Sequence, residues 1–67
     1  MVWLQFYGVD VYGKPSGSEQ ILRPFPSIAS ALSEGRELSK SMTFYFGKAV
    51  GYRIIDEQNK TVREGLF

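Results

Sequence analysis

The chain contains no cysteine and no histidine among its 67 residues. Without cysteine there is no disulfide bond, and without either residue type the usual ligands of a structural zinc site are missing. The same absence removes the side chains that most often serve as general base or thiol nucleophile near neutral pH. The fold must therefore be held by its hydrophobic core or by a partner subunit, and we expect neither a metal nor a cofactor.

Long hydrophobic runs and an excess of one charge are also missing. The apolar runs extend over only a few residues, so no segment is expected to span a membrane. Residues 1–4 lack the basic start and the long apolar stretch of a signal peptide, which predicts a cytoplasmic protein. Eight Lys and Arg residues are interspersed with seven Asp and Glu residues, for a net charge of +1, which argues against nucleic acid as the main partner.

Aromatic residues are plentiful: one Trp, four Tyr and five Phe. A hydrophobic content of 43% and a charged content of 22% are typical of a folded chain, and the length predicts a single domain over residues 1–67. A chain of about 60 residues buries only roughly 60% of the surface that its unfolded form exposes. The aromatic rings supply the apolar area that so small a domain needs.

Two strands are predicted in the first part of the chain. Residues 2–12 alternate in character, with Val2, Leu4 and Phe6 on one face and Trp3, Gln5 and Tyr7 on the other. A β-bulge at Gly8 would return Val9 and Val11 to the buried face. Residues 13–18 are predicted to form a loop and residues 19–25 a second strand, confined to a sheet edge by Pro24 and Pro26.

One amphipathic helix follows, predicted over residues 28–41 with Ser27 as its N-cap. Its apolar stripe contains Gly35, where the missing side chain would let the helix approach the sheet. Residues 43–46 fit either a short strand, which we favour, or an extension of the helix ending at Gly47. Residues 50–56 and 61–64 are predicted to form a hairpin whose turn has Asn59 in a left-handed conformation.

These elements predict an α+β fold. One helix packs on a three- to four-stranded antiparallel sheet, in the order ββαββ or βαββ. The side chains predicted to be buried are Leu4, Phe6, Val9, Ile28, Leu32, Leu38, Val50, Ile54 and Val62.

Residues 35–38 (Gly-Arg-Glu-Leu), residues 50–57 (Val-Gly-Tyr-Arg-Ile-Ile-Asp-Glu) and Val62 carry a resemblance. They resemble small uncharacterised bacterial and phage proteins built as strand, helix and hairpin. Asn59 stands where such proteins usually have glycine. The resemblance covers about half of the chain and implies a compact α+β fold. It implies no activity, so no functional residue is transferred from it.

No combination of residues predicts catalysis. Glu34 and Glu37 fall on the solvated side of the predicted helix, and Asp56 and Glu57 fall at a hairpin turn. Ser39 and Lys40 are neighbours on the helix and point in different directions, so they do not form a nucleophile–base pair. The loop of residues 13–18 contains glycine, lysine and serine without the spacing of a phosphate-binding loop. We therefore expect a protein without enzymatic activity.

The aromatic residues raise the one functional hypothesis. A single helix covers one face of a sheet, so the opposite face meets solvent or a partner. Trp, Tyr and Arg are enriched at the energetic centres of interfaces. The alternative is that Trp3 and Tyr7 pack under residues 14–26. The candidate interface consists of Trp3, Gln5, Tyr7, Tyr12, Arg53 and Ile55.

The sequence thus predicts a small protein-interaction module. It would act through an aromatic sheet face or a strand edge, with an unidentified protein as partner or by self-association as a homodimer. The alternative is a weak nucleic-acid-binding domain in which the same rings stack on bases. That alternative requires a positive field, which a net charge of +1 hardly supplies.

Overall fold

Four antiparallel strands and one helix follow one another in the order ββαββ in the computed structural model, which describes all 67 residues. The spatial order of the strands is β2-β1-β3-β4, and the helix packs on one side of the sheet, called here the helix face. The predicted α+β class and the ββαββ order are confirmed. The elements are β1 (Trp3–Val9), β2 (Pro15–Gln20), α1 (Ile28–Ser41), β3 (Gly51–Ile55) and β4 (Thr61–Leu66).

The alternation of β1 divides its side chains between the two faces, as the sequence predicts. Leu4, Phe6 and Gly8 are buried on the helix face, and the residues between them are half-buried on the other side. Val9 and Val11, which were predicted to return to the buried face, are exposed by 37% and 93%. A bulge does follow Gly8, but the extra residue lies in β2, so the bulge does not return Val9 to the core.

The first hairpin turns earlier than predicted. The Asp10 carboxylate accepts hydrogen bonds from the backbone N–H groups of Tyr12 (2.9 Å) and Lys14 (3.0 Å), and Gly13 adopts a positive φ of 77°. This closed turn lets β2 begin at Pro15. The predicted loop at residues 13–18 is therefore mostly strand, and the predicted strand at residues 19–25 ends at Gln20.

The helix has the predicted bounds and the predicted cap. The Ser27 hydroxyl accepts a hydrogen bond from the Ser30 N–H (3.1 Å), and the Ser30 hydroxyl accepts one from the Ser27 N–H (3.2 Å), which forms a capping box. A Cβ atom at Gly35 would lie 2.7 Å from Leu4 Cδ2. The glycine therefore allows the close approach of α1 to β1 that its place on the apolar stripe predicts.

Residues 43–46 form neither a strand nor a helical turn, so both predictions for them are wrong. Met42 ends the helix with an extended backbone, and the Gly47 N–H donates to the Phe44 carbonyl (3.0 Å) to close a tight turn. Phe44 is nearly fully buried and meets Phe6 edge to face, with ring centroids 5.3 Å apart. Burial of this aromatic ring in the core stabilises the turn, which takes residues 43–46 out of the helix.

The second hairpin is confirmed, with Asn59 at a φ of 64°. Of the side chains predicted to be buried, Leu4, Phe6 and Ile54 are fully buried, while Ile28, Leu32, Leu38 and Val50 are partly buried. Val62 is 43% exposed because a bulge disturbs the start of β4, so this prediction is wrong, as it is for Val9. The core also contains four residues that were not predicted: Phe25, Ala31, Phe44 and Ala49.

Candidate functional site

Five of the six predicted interface residues share the side of the sheet that no helix covers. The register places Trp3 opposite Ile55 and Gln5 opposite Arg53, and Tyr7 lies opposite Gly51 on the same two central strands. We call this surface, formed by Trp3, Gln5, Tyr7, Arg53 and Ile55, the open face. Arg53 is exposed and the other four residues are half-buried.

Tyr12, the sixth predicted residue, lies elsewhere. It belongs to the turn held by Asp10 between β1 and β2, and its side chain is 83% exposed. The prediction extended β1 to this residue and so assigned it to a sheet face. Because β1 ends at Val9, the structure does not bring Tyr12 together with the open face.

The ring of Tyr7 lies on the glycine opposite it. A Cβ atom at Gly51 would overlap the Tyr7 hydroxyl and would lie 2.8 Å from ring atom Cε1. The ring thus occupies the space that a side chain at position 51 would fill, as in the aromatic shielding of a sheet glycine. The Arg53 guanidinium carbon lies 5.7 Å from the centroid of the same ring, within the range of a cation–π contact.

Arg53 of β3 is held between two polar side chains, one on each neighbouring strand: Gln5 of β1 and Glu64 of β4. Its Nη1 donates to Gln5 Oε1 and its Nε donates to Glu64 Oε2, both at 3.4 Å. The side chains of Arg53 and Glu64 are 45% and 63% exposed, so the ion pair is solvated and contributes little to stability. Its effect is to orient the guanidinium beside Tyr7.

Residues 14–26 do not cover Trp3 and Tyr7, as the alternative of local packing required. β2 lies beside β1 in the plane of the sheet, and Leu22, which follows it, is 96% exposed. Phe25 of the same segment is directed into the core on the helix face. Trp3 and Tyr7 are not among the side chains that pack against this core, so their outer surfaces meet solvent.

The two edges of the sheet differ. At the β2 edge, the Tyr45 hydroxyl accepts a hydrogen bond from the Ser18 N–H and donates one to the Ser18 carbonyl, both at 3.2 Å. One side chain thus satisfies both backbone groups that Ser18 would otherwise present to an added strand. No comparable cap lies on β4, the other edge strand. Sequence reasoning missed Tyr45, because nothing local relates it to a residue 27 positions earlier.

Acidic side chains nowhere form a group of three or more that could hold a metal ion. No helix has both the length and the apolar character needed to cross a membrane. No protein-family model, curated protein or solved structure matches this chain.

Proposed function

We propose that this chain is a small non-catalytic protein-interaction module that docks a different protein chain on the open face. The carrying observation is the arrangement of Trp3, Tyr7 and Arg53 on the two central strands, on the side that α1 leaves uncovered. These three residue types dominate the binding energy of protein interfaces.

Preorganisation supports the proposal. Binding costs about 0.5–1.5 kcal/mol for each flexible side chain that becomes immobilised. Tyr7 already rests on Gly51, and Arg53 is already held by Gln5 and Glu64. Because these side chains start from ordered positions, a partner would gain their contacts at a reduced entropic cost.

Charge favours a different chain over a second copy where the sheet would be extended. An antiparallel pairing of β4 with the β4 of another copy, centred on the strand, places either Arg63 or Glu64 opposite its own copy. Like charges directly opposite each other destabilise a strand pair. A partner strand of other sequence avoids this repulsion, so a homodimer formed by pairing of the two β4 strands is the less supported arrangement.

Binding of nucleic acid to the open face has less support than binding of protein. The only cation of this face is Arg53, and a Glu64 oxygen lies 3.4 Å from its Nε. A base-stacking surface needs neighbouring positive charge to attract the phosphates. The neutralised guanidinium supplies little of it.

The test compares the wild-type chain with a Trp3→Ala, Arg53→Ala double variant as bait in an extract of the native host. The matched control is Tyr12→Ala, Lys14→Ala, which removes one exposed ring and one cation from the β1–β2 turn. A partner bound through the open face should be kept by the control. Its affinity for the double variant, measured with the purified partner, should fall by roughly 30-fold or more, as for the loss of one interface hot spot.

Two further measurements discriminate among the occupants. Light scattering over a range of concentrations reports self-association, and Trp3 fluorescence reports whether the partner covers the indole. The proposal is wrong if the partner binds the Trp3→Ala, Arg53→Ala variant as tightly as it binds the wild-type chain. It is also wrong if the wild-type chain only forms dimers, or if it binds single-stranded oligonucleotides in a salt-sensitive manner and no protein.

A further inference from the structure

A groove opens on the helix face, on the opposite side of the sheet from the open face. It lies between residues 31–40 of α1, the loop that follows α1, and the end of β4, with a volume of about 820 Å³. Nine of its sixteen lining residues are hydrophobic, among them Leu32, Phe44 and Tyr52. Small-molecule sites typically have volumes of roughly 300–1,000 Å³ and mostly apolar walls.

The position of the helix explains the groove. α1 closely approaches the sheet at Gly35, which lies against Leu4 of β1. On the helix face of β3, the Tyr52 ring lies over Gly65 of β4 and meets Phe67, with ring centroids 5.4 Å apart. Phe44 of the following loop is buried beneath this space. A concave apolar floor thus lies between the helix and the end of the sheet.

The charged rim of the groove has one sign. Arg36 and Lys40 project from adjacent turns of α1, and Lys48 lies on the loop that faces them. No Asp or Glu side chain is among the lining residues. The three cations form none of the ion pairs of the chain, which use Arg23, Arg53 and the terminal amine. Such an excess is notable in a chain whose net charge is only +1.

We propose that this groove binds a free amphipathic carboxylate, a small molecule with one acidic head group and an apolar body. The apolar body would lie on Leu32, Phe44 and Tyr52, and the carboxylate would lie among the ammonium and guanidinium groups of the rim. Charge complementarity selects an anion over a neutral or cationic amphiphile. The walls formed by α1 and the loop favour a single molecule held between them over a bilayer surface, which is flat.

Calorimetric titration with decanoate, decanol and decyltrimethylammonium, all below their aggregation concentrations, tests the proposal. Decanoate should bind with one molecule per chain, and the other two should bind at least about tenfold more weakly. An Arg36→Gln, Lys40→Gln, Lys48→Gln variant should bind decanoate roughly tenfold more weakly, as expected when three exposed charge interactions are lost. A control with Lys14→Gln, Lys60→Gln and Arg63→Gln loses the same charge outside the groove and should bind as the wild type does.

The position of binding is tested separately. Decanoate should shift the NMR amide signals of residues 42–49 and leave those of Trp3 and Arg53 unchanged. The Trp3→Ala, Arg53→Ala variant should bind decanoate normally, so failure of the open-face proposal and failure of the groove proposal are distinguishable.

Three outcomes would overturn the groove proposal. The first is equal binding of the anionic and cationic amphiphiles. The second is an equal loss of affinity in the two triple variants. The third is binding to phosphatidylglycerol vesicles without binding of monomeric decanoate, which would replace the small molecule by a membrane surface.

Discussion

Replacement of Phe25 by alanine should remove most of the stability of this domain. Phe25 is fully buried although it lies between two prolines in a segment without regular structure. Its backbone exchanges two hydrogen bonds with Val2, of 2.9 and 2.7 Å, which position the ring over the core. The Phe25→Ala variant keeps these backbone hydrogen-bonding groups and leaves a cavity in the core where the ring was.

The expected magnitude follows from the burial. Truncation of a fully buried phenylalanine typically costs about 3–5 kcal/mol, the sum of lost transfer free energy and the cavity left behind. A domain of 67 residues has a free energy of unfolding of roughly 3–10 kcal/mol at about 0.05–0.15 kcal/mol per residue. The loss is therefore comparable with the whole, and a substantial unfolded population is expected at room temperature.

Urea denaturation followed by far-ultraviolet circular dichroism measures this change. Leu22→Ala is the matched control, because Leu22 lies three residues earlier, is 96% exposed, and should change the free energy of unfolding by no more than about 0.5 kcal/mol. A loss below about 1 kcal/mol for Phe25→Ala would refute the reasoning, since a ring so deeply buried cannot be removed at that cost.

Two further substitutions probe the open face and the sheet edge. Gly51→Ala should lower the free energy of unfolding by about 1–3 kcal/mol, measured by urea denaturation, because the new methyl group overlaps the ring of Tyr7. When Tyr7→Ala is added, the effects of the two substitutions should be non-additive. Purely additive effects would contradict the contact. Tyr45→Phe should cost about 0.5 kcal/mol and speed hydrogen exchange at the Ser18 amide. The Ile21 amide, bonded to the Leu4 carbonyl at 2.8 Å, serves as the unchanged control, and equal protection of Ser18 in both proteins would exclude the cap.

Local rules were sufficient where a segment's conformation is set by its own residues. Ser27 and Ser30 form the capping box within four residues, and the helix has the predicted bounds. Asn59 takes the left-handed conformation that its turn requires. The alternation of β1 likewise gave both of its faces, because one residue spacing decides which side each residue occupies.

Prediction failed where distant contacts decide the structure. Residues 19–25 were predicted as an edge strand, whereas β2 ends at Gln20 and the ring of Phe25 reaches the core. Phe44 was assigned to a strand by its composition, whereas contact with Phe6, 38 positions earlier in the sequence, holds it in a turn. Asp10 closed the first turn early and thereby displaced Tyr12 from the sheet. Short-range patterns carry no information about such partners.

The sequence predicted which residues form the candidate site better than it predicted the contacts among them. Five of the six residues lie together because they belong to the two central strands, whose faces the alternation reveals. The seat of Tyr7 on Gly51 depends on the pairing register of β1 with β3, which a single sequence does not specify. The charged rim of the groove was not predicted for a similar reason, since the path of the loop after α1 brings Lys48 to the same groove as Arg36 and Lys40.

The hydroxyl of Tyr45 has a consequence for assembly size. A sheet with two open edges polymerises when the last strand of one copy adds to the first strand of the next, because such head-to-tail contacts do not close. Here the Tyr45 hydroxyl already bonds both outward backbone groups of Ser18, so a strand that pairs with β2 must first break these two hydrogen bonds. Strand addition at β2 is therefore less favourable than at β4, which disfavours open-ended growth into fibres and favours complexes of defined stoichiometry.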